Sequence, residues 1–210
     1  MDWLGGVVEL VQMVNVVDLS HHNEHVDFGS LKAAGVTGVI LKATQGVNGI
    51  DPTFTDRYPR AVSVFGHDCV HVYHFLDNAD AAAQMKHFEV TTPGIAFRWL
   101  DYEVNPNGPS CTLGTAIAAC HMLATAQGKY PGMYGSDEAE LGEALDAGHF
   151  TVCPLWIARY RSSPAPDHKC VLWQYDEHGV VAGMSELDLS TYTGKGTCAN
   201  WFTSLALKPV

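Results

Sequence analysis

Short apolar segments rich in β-branched residues recur along the chain and alternate, over its first two thirds, with stretches of helical character. The segments that predict strands are 14–18, 38–42, 69–75, 95–103, 132–134, 155–158, 171–175 and 187–189. The predicted helices are 27–34, 53–64, 79–90, 112–127 and 137–147. Alternation of strands and helices indicates βαβ units around a parallel sheet. The pattern therefore predicts an α/β fold.

Beyond Phe150 the pattern changes, because the helices end and the remaining strands follow short connections rich in Pro and Gly. An eight-stranded, TIM-like (β/α) barrel with an incomplete ring of helices fits this change, and an open doubly wound sheet is the alternative. Residues 162–166 predict a surface loop, and 198–207 predict a closing helix. Since no repeat or low-complexity tract interrupts the chain, we expect one domain over 1–210 without an appended binding module.

Composition narrows the class of protein. The 210 residues are 47% hydrophobic and 17% charged, which permits one large core. A net charge of −11 disfavours nucleic-acid binding, and the apolar runs are too short to span a bilayer. The first 12 residues contain neither Lys nor Arg, so we expect no signal peptide and synthesis in the cytoplasm. In that compartment the six cysteines are expected to be free thiols.

One segment, 94–108, is an apolar run that stops on two carboxylates, Asp101 and Glu103. Alternate residues of a strand share a face, so the two acids should point the same way. Two like charges at that spacing repel, which raises the pKa of one of them. Such a pair suits glycoside hydrolysis, although a solvated strand end is the structural alternative.

Polar and aromatic residues cluster at the carboxyl ends of the predicted strands, where parallel barrels carry their chemistry. These residues are Asp18, Lys42, Tyr73, Phe75, Asp101, Glu103, Tyr134, Trp156, Tyr160, Gln174, Tyr175 and Asp188. Aromatic faces stack on sugar rings, and carboxylates and amides bond hydroxyl groups. The set therefore predicts a carbohydrate cleft.

Other chemistries fit the sequence less well. His21, His22 and His25 lie in a predicted loop without a nearby Cys, so we predict no metal site. Gly135-Ser136 lacks the G-x-S-x-G elbow of a serine esterase, because position 134 is Tyr. His74 has two interpretations, a hydrogen-bonded core histidine or a sugar contact.

The ordered motifs of the chain resemble glycoside hydrolase family 25, the Chalaropsis-type lysozymes (N-acetylmuramidases), many of which are phage endolysins. The motifs are VDLSHHN (17–23), ILKATQG (40–46), YHF (73–75), LDYE (100–103), PGMY (131–134), PLWIARY (154–160), LWQY (172–175) and LDL (187–189). Each is weak alone, but together they follow the family's order over residues 14–194.

The resemblance implies a flattened, irregular barrel, without a cofactor or metal, that cleaves the β-1,4 bond between N-acetylmuramic acid and N-acetylglucosamine of bacterial peptidoglycan. It implies that Glu103 is the general acid and that Asp101 orients the substrate N-acetyl group. Asp18 and Asp188 match the two flanking acids. The other polar and aromatic residues at the strand ends would bind the glycan.

Two positions depart from the family pattern. Gln45 stands where the family commonly has Glu, and Ser190 where it has Asn. Among rivals, a chitinase-type motif would need Asp at the positions of Ala96 and Trp99. A catalytically weak glycan-binding barrel is the non-enzymatic alternative, and it predicts a lost acid, whereas all four acids are present.

The expected setting follows from the resemblance and from the N-terminal residues. A phage endolysin would be made in the host cytoplasm and would reach the wall through a holin-made opening. A secreted bacterial enzyme is the alternative. Peptidoglycan glycan strands are the expected partner, with no nucleic acid and no stable membrane insertion.

Overall fold

The computed structural model describes residues 14–160 and 165–207, and within them the chain forms a ring of strands surrounded by helices. The strands are β1 (Val16–Leu19), β2 (Gly38–Gln45), β3 (Gly49–Ile50), β4 (Val70–Phe75), β5 (Arg98–Asp101), β6 (Gly132–Ser136), β7 (Leu155–Ala158), β8 (Leu172–Val181) and β9 (Met184–Tyr192). The helices are α1 (Phe28–Ala33), α2 (Phe54–Phe65), α3 (Ala81–Thr91), α4 (Leu113–Gln127), α5 (Glu140–Asp146) and α6 (Cys198–Leu205).

The sheet closes into a barrel, because β1 pairs with β2 on one side and with β9 on the other. The ring runs β1, β9, β8, β7, β6, β5, β4, β2, and β3 pairs with β2 outside it. The predicted eight-stranded barrel is confirmed, and the open doubly wound sheet is wrong.

One strand breaks the predicted parallel order. β9 runs antiparallel to both β8 and β1. Only Ala182 and Gly183, both at positive φ (51° and 82°), separate β8 from β9. A connection this short can form a hairpin but not the crossover that parallel neighbours require. The barrel is therefore closed by a mixed sheet, in which β9 is antiparallel to both of its neighbours.

Alternation along the strands divides the buried residues into two cores. Outward residues such as Val17 and Val39 pack with helix residues such as Leu31 in the larger core. Inward residues fill the lower lumen: Val16, Ile40, Trp99 and Trp156, with Phe202 of α6 packed against them from below. Two residues further along β1, β2 and β5 come Asp18, Lys42 and Asp101, which line a cavity instead. The interior of the barrel is thus apolar toward the amino ends of the strands and polar toward their carboxyl ends.

Four of the helices begin at side chains that cap the free backbone N–H groups of the first turn. Asp27, Asp80, Thr112 and Thr197 accept hydrogen bonds at the starts of α1, α3, α4 and α6. The predicted helix 137–147 begins later, at Glu140, and the closing helix ends at Leu205. No helix in the described part of the chain has the length and apolar character needed to cross a membrane. The first 12 residues, and positions 162–164 of the predicted loop, lie outside the described residues.

Candidate active site

A cavity of about 580 Å³ opens above the lumen, at the carboxyl ends of the parallel strands. Of the residues predicted to form the cleft, those on its wall are Asp18, Lys42, Tyr73, Phe75, Asp101, Glu103, Tyr134, Trp156, Tyr160, Gln174 and Asp188. The fold therefore brings together residues that are up to 170 positions apart in the sequence. The other residues that line it were not among the predicted catalytic or substrate-binding residues: Ser20, His21, His22, Gln45, Asn105, Pro106, Asn107 and Glu177.

Tyr175 is the exception among the predicted residues. Its side chain is 1% exposed and belongs to the larger core, where its ring contacts Trp173. Adjacent residues of a strand point to opposite faces, so Gln174 and Tyr175 could not both face the cavity. The prediction that Tyr175 binds substrate is wrong on this geometry.

Asp101 and Glu103 share the cavity although Glu103 lies beyond the last residue of β5. Between them, the Tyr102 backbone N–H donates to the Tyr134 carbonyl oxygen at 2.9 Å, and the Tyr102 ring enters the larger core. This bond extends the strand-like alternation past Asp101. The predicted strand 95–103 is thus shorter than expected, but its two acids do lie on one face.

Asp18 and Asp188 face each other across the β1–β9 ladder, where they are direct partners in the register. Burial, followed by repulsion from Asp188, raises the pKa of Asp18 well above its usual range. Burial also raises the pKa of Asp188 to about 7, and the charges of Glu177 and Glu103 add to the rise. Two carboxyl groups so placed cannot both be ionised cheaply, and they hold a proton near neutral pH.

The second pair of acids, Asp101 and Glu103, also has raised pKa values. Burial raises the pKa of Glu103 to about 7, with Lys42 opposing the rise. Burial and the charge of Glu103 raise the pKa of Asp101 well above its usual range, and Lys42 opposes this rise also. Among the described residues, the buried Asp101 Oδ1 accepts no hydrogen bond. A buried acceptor without a partner is costly, and a ligand N–H or O–H in the cavity would satisfy it.

Gln174 joins three walls of the cavity. Its Nε2 donates to Asp18 Oδ2 at 3.0 Å, and its Oε1 accepts from the Tyr134 hydroxyl at 2.7 Å and from the Tyr160 hydroxyl at 3.4 Å. The donated bond favours ionised Asp18 and lowers its pKa against the effect of burial. Because these protein groups occupy the acceptor capacity of the amide, Gln174 positions Asp18 and the two tyrosines.

The sequence model described as "Glycosyl hydrolases family 25" matches residues 17–184. The chain belongs to glycosyl hydrolase family 25. It is 30% identical over 178 residues to the autolytic lysozyme of Clostridium acetobutylicum, covering 80% of this chain and 52% of that protein. It is 28% identical over 172 residues to the N,O-diacetylmuramidase of Chalaropsis sp., covering 70% of this chain and 78% of that protein.

The solved structures agree on the fold. The bacterial lysozyme of Streptomyces coelicolor superposes with a TM-score of 0.79 at 22% identity, covering 93% of this chain and 98% of that one. The chain spans about half the length of the Clostridium relative. As a family 25 member it has the barrel of that family.

In this family 25 member, Gln45 reaches the cavity through a bulge in β2. The register against β4 shifts between Lys42 and Thr44, so that residues three apart, Lys42 and Gln45, face the same side. Lys42 Nζ donates to Gln45 Oε1 at 3.0 Å and lies 4.9 Å from the centre of the Phe75 ring. Strict alternation would have placed them on opposite faces, so sequence periodicity alone could not find this pair.

The same bulge turns Thr44 away from the cavity, where its Oγ1 lies 2.7 Å from His74 Nδ1. His74 Nε2 lies 3.2 Å from Gln84 Oε1 of α3, and the ring is fully buried. Of the two interpretations of His74, the structure supports the core histidine.

Ser190, the other departure from the family pattern, is also fully buried. Its Oγ accepts a hydrogen bond from Trp156 Nε1 at 2.9 Å. Trp156 is only 1% exposed, so it forms the floor of the cavity. Ser190 therefore holds the Trp156 ring that forms the floor.

Proposed function

We propose that this glycoside hydrolase is a lysozyme, an N-acetylmuramidase that hydrolyses the β-1,4 bond between N-acetylmuramic acid and N-acetylglucosamine of bacterial peptidoglycan. The observation that carries the proposal is the Asp101/Glu103 pair, which shares one cavity with Asp18 and Asp188. The named relatives, an autolytic lysozyme and an N,O-diacetylmuramidase, support the substrate class.

Glu103 is the general acid in this proposal. With a pKa raised to about 7 by burial, its carboxyl group keeps a proton at slightly acidic pH. An acid with a pKa near the working pH both holds its proton and transfers it readily to the leaving glycosidic oxygen. An exposed Glu would be ionised under the same conditions.

Asp101 orients the substrate acetamide. Its unpartnered Oδ1 is suited to accept the N–H of an N-acetyl group. That hydrogen bond would favour the ionised form of Asp101 and leave the proton of the pair on Glu103. Asp101 and Glu103 would then carry different roles although they lie two residues apart.

The acetamide oxygen then attacks the anomeric carbon while the bond to the leaving oxygen breaks and Glu103 protonates that oxygen. Water attacks the same carbon in a second step and gives its proton to the Glu103 carboxylate, which restores both groups. Such substrate assistance is a known exception to the scheme with two carboxylates. It predicts a product with retained anomeric configuration, whereas direct attack by water predicts inversion. Proton NMR of the first product separates the two routes.

The aromatic residues proposed to bind the glycan differ in how exposed their side chains are. Tyr73 and Tyr160 are partly exposed, whereas Phe75, Tyr134 and Trp156 are buried below them. We therefore assign the stacking of sugar rings to Tyr73 and Tyr160 and the shape of the floor to the others. The bacterial cell wall, which contains the proposed substrate, is the proposed place of action.

The test compares wild type with Glu103→Gln on purified peptidoglycan, following loss of turbidity and sedimentation of bound protein. Loss of the general acid should lower the rate by roughly 10²–10⁴-fold while binding persists. Glu24→Gln, an exposed position outside the cavity, is the matched control and should leave the rate unchanged. Binding without hydrolysis by the wild type would instead favour a glycan-binding module.

A further inference from the structure

Two cysteines outside the active site lie in contact. Cys120, on the buried face of α4, and Cys153, just before β7, have their sulfur atoms 3.5 Å apart. All six cysteines are described and all are free thiols, and this is the pair whose sulfur atoms touch. Cys153 is held in place, because its N–H donates to the Phe150 carbonyl oxygen at 3.0 Å.

A surface cavity gives access to this pair. It measures about 210 Å³, lies between α4 and residues 148–153, and is lined by both cysteines. His121, Tyr130 and the exposed Val152 form other parts of its wall. Buried structural cysteines are usually inert for lack of access, whereas these two line an opening that could admit a small reagent.

We propose that Cys120 and Cys153 form a redox-active pair that closes to a disulfide when a low-molecular-weight disulfide enters this cavity. The reaction is thiol–disulfide exchange in two steps. The Cys120 thiolate attacks one sulfur of the reagent, its S–S bond breaks, and one small thiolate leaves. Cys153 then loses its proton to solvent and attacks Cys120 Sγ in the mixed disulfide, which releases the second small thiolate.

Electrons and protons balance over the two steps. The two protein thiols give two electrons to the reagent and two protons to the released thiolates, so the reagent leaves as two thiols. The hydrogen bond from Cys153 lowers the pKa of Cys120, which makes Cys120 the attacking group. The same contact and burial raise the pKa of Cys153.

The bond would connect α4 to the start of β7. That strand carries Trp156 in the cavity floor and leads to Tyr160 in the cavity wall. The loop closed by the bond spans 33 positions, so the bond removes much freedom from the unfolded chain. Oxidation should raise Tm by roughly 5–15 °C for a domain of this size.

The experiment treats the purified protein with 2-hydroxyethyl disulfide at pH 8, followed by alkylation under denaturing conditions, trypsin digestion and mass spectrometry. Cleavage after Arg98 and Lys129 puts Cys120 in peptide 99–129 and Cys153 in peptide 130–159. Because Cys111 shares the first peptide, the assignment is repeated in Cys111→Ser.

The proposal expects the two peptides to be recovered linked, in wild type and in Cys111→Ser alike, together with the rise in Tm. Cys120→Ser and Cys153→Ser should give neither result. Alkylation of all six thiols in the treated wild type would overturn the proposal, as would a link that persists in Cys120→Ser. Neither readout depends on glycan hydrolysis, so the proposal stands or falls separately from the proposed function.

Discussion

At the scale of single residues, Gln174 connects three residues of the cavity wall by hydrogen bonds. It donates to Asp18 and accepts from Tyr134 and Tyr160 while being 2% exposed. Nothing in its sequence context distinguishes this role from direct binding of a sugar hydroxyl. The distinction arises only when the barrel brings β1, β6 and β8 together.

Replacing Gln174 by Met tests the role. The volume is nearly conserved, but Asp18 loses a donor and the two tyrosines lose their acceptor. We expect a loss of roughly 2–4 kcal/mol in the free energy of unfolding. We also expect a shift in the pH dependence of kcat, because the pKa of Asp18 rises without the donated bond. Urea denaturation and pH–rate profiles measure the two effects.

Gln84→Met is the matched control for this change. Gln84 is an equally buried glutamine in a hydrogen-bonded network, but it serves His74 and Asp77 on the outer side of the barrel. It should lose comparable stability and keep the wild-type pH profile. If both variants shift the profile equally, Gln174 has only a structural role.

At the scale of elements, the bulge in β2 sets the charge balance of the cavity. It places Lys42 beside the neutral Gln45, so the Lys42 charge acts on Asp101 and Glu103. A Glu at position 45 would pair with Lys42 and add a negative charge to the same cavity. Both effects oppose ionisation of Glu103 and raise its pKa.

Gln45→Glu should therefore move the alkaline limb of the kcat/KM profile to higher pH, by roughly 0.5–1 unit. The sign follows from the requirement that the general acid be protonated. A higher pKa of Glu103 extends the active range upward. Identical profiles for wild type and Gln45→Glu would show that the charge at position 45 does not reach Glu103.

The strands and helices were largely predictable, because periods of two and 3.6 residues survive wherever one face is buried. The details that failed are local changes of register. In β8 the register passes from Gln174 opposite Ser190 to Asp176 opposite Leu189. This bulge, and the polar residues that follow, hid the extension of β8 to Val181 and the hairpin with β9.

The acids of the site were predictable for a different reason. Asp18 and Asp101 end apolar runs, and a charge there is unusual without a function. Rim residues such as His22, Asn107 and Glu177 carry no such signal, because charged and polar side chains are ordinary in loops and exposed strand ends. The prediction that Tyr175 binds substrate was wrong because it assigned every polar or aromatic residue at a strand end to the cavity. Adjacent residues of a strand point to opposite faces, and Gln174 already faces the cavity.

At the scale of the whole molecule, the buried acids connect activity to stability. The pKa of Asp188 is raised to about 7 in the folded protein, whereas an unfolded Asp has a pKa of about 3.9. Between these values the folded state holds more protons than the unfolded chain. The contribution of Asp188 to stability is therefore complete at low pH and is lost as pH rises toward 7.

Buried His71 and His74 act in the opposite direction, because burial lowers the pKa of each to about 3. The test therefore compares how the free energy of unfolding changes with pH in wild type and in a variant without the Asp188 carboxyl group. From pH 5 to pH 8, wild type should lose on the order of 2 kcal/mol more in unfolding free energy than Asp188→Asn. Asp56→Asn, at an exposed ion pair, should follow wild type. Parallel curves for wild type and Asp188→Asn would show that the pKa of Asp188 is not raised.

The central claim is that this family 25 barrel cleaves peptidoglycan after N-acetylmuramic acid in its cavity. Mass spectrometry of the muropeptides released from purified peptidoglycan, after borohydride reduction of their new ends, tests it directly. The account predicts reduced N-acetylmuramic acid at those ends with wild type, and release that is roughly 10²–10⁴-fold slower with Glu103→Gln. Reduced N-acetylglucosamine at the new ends would contradict it.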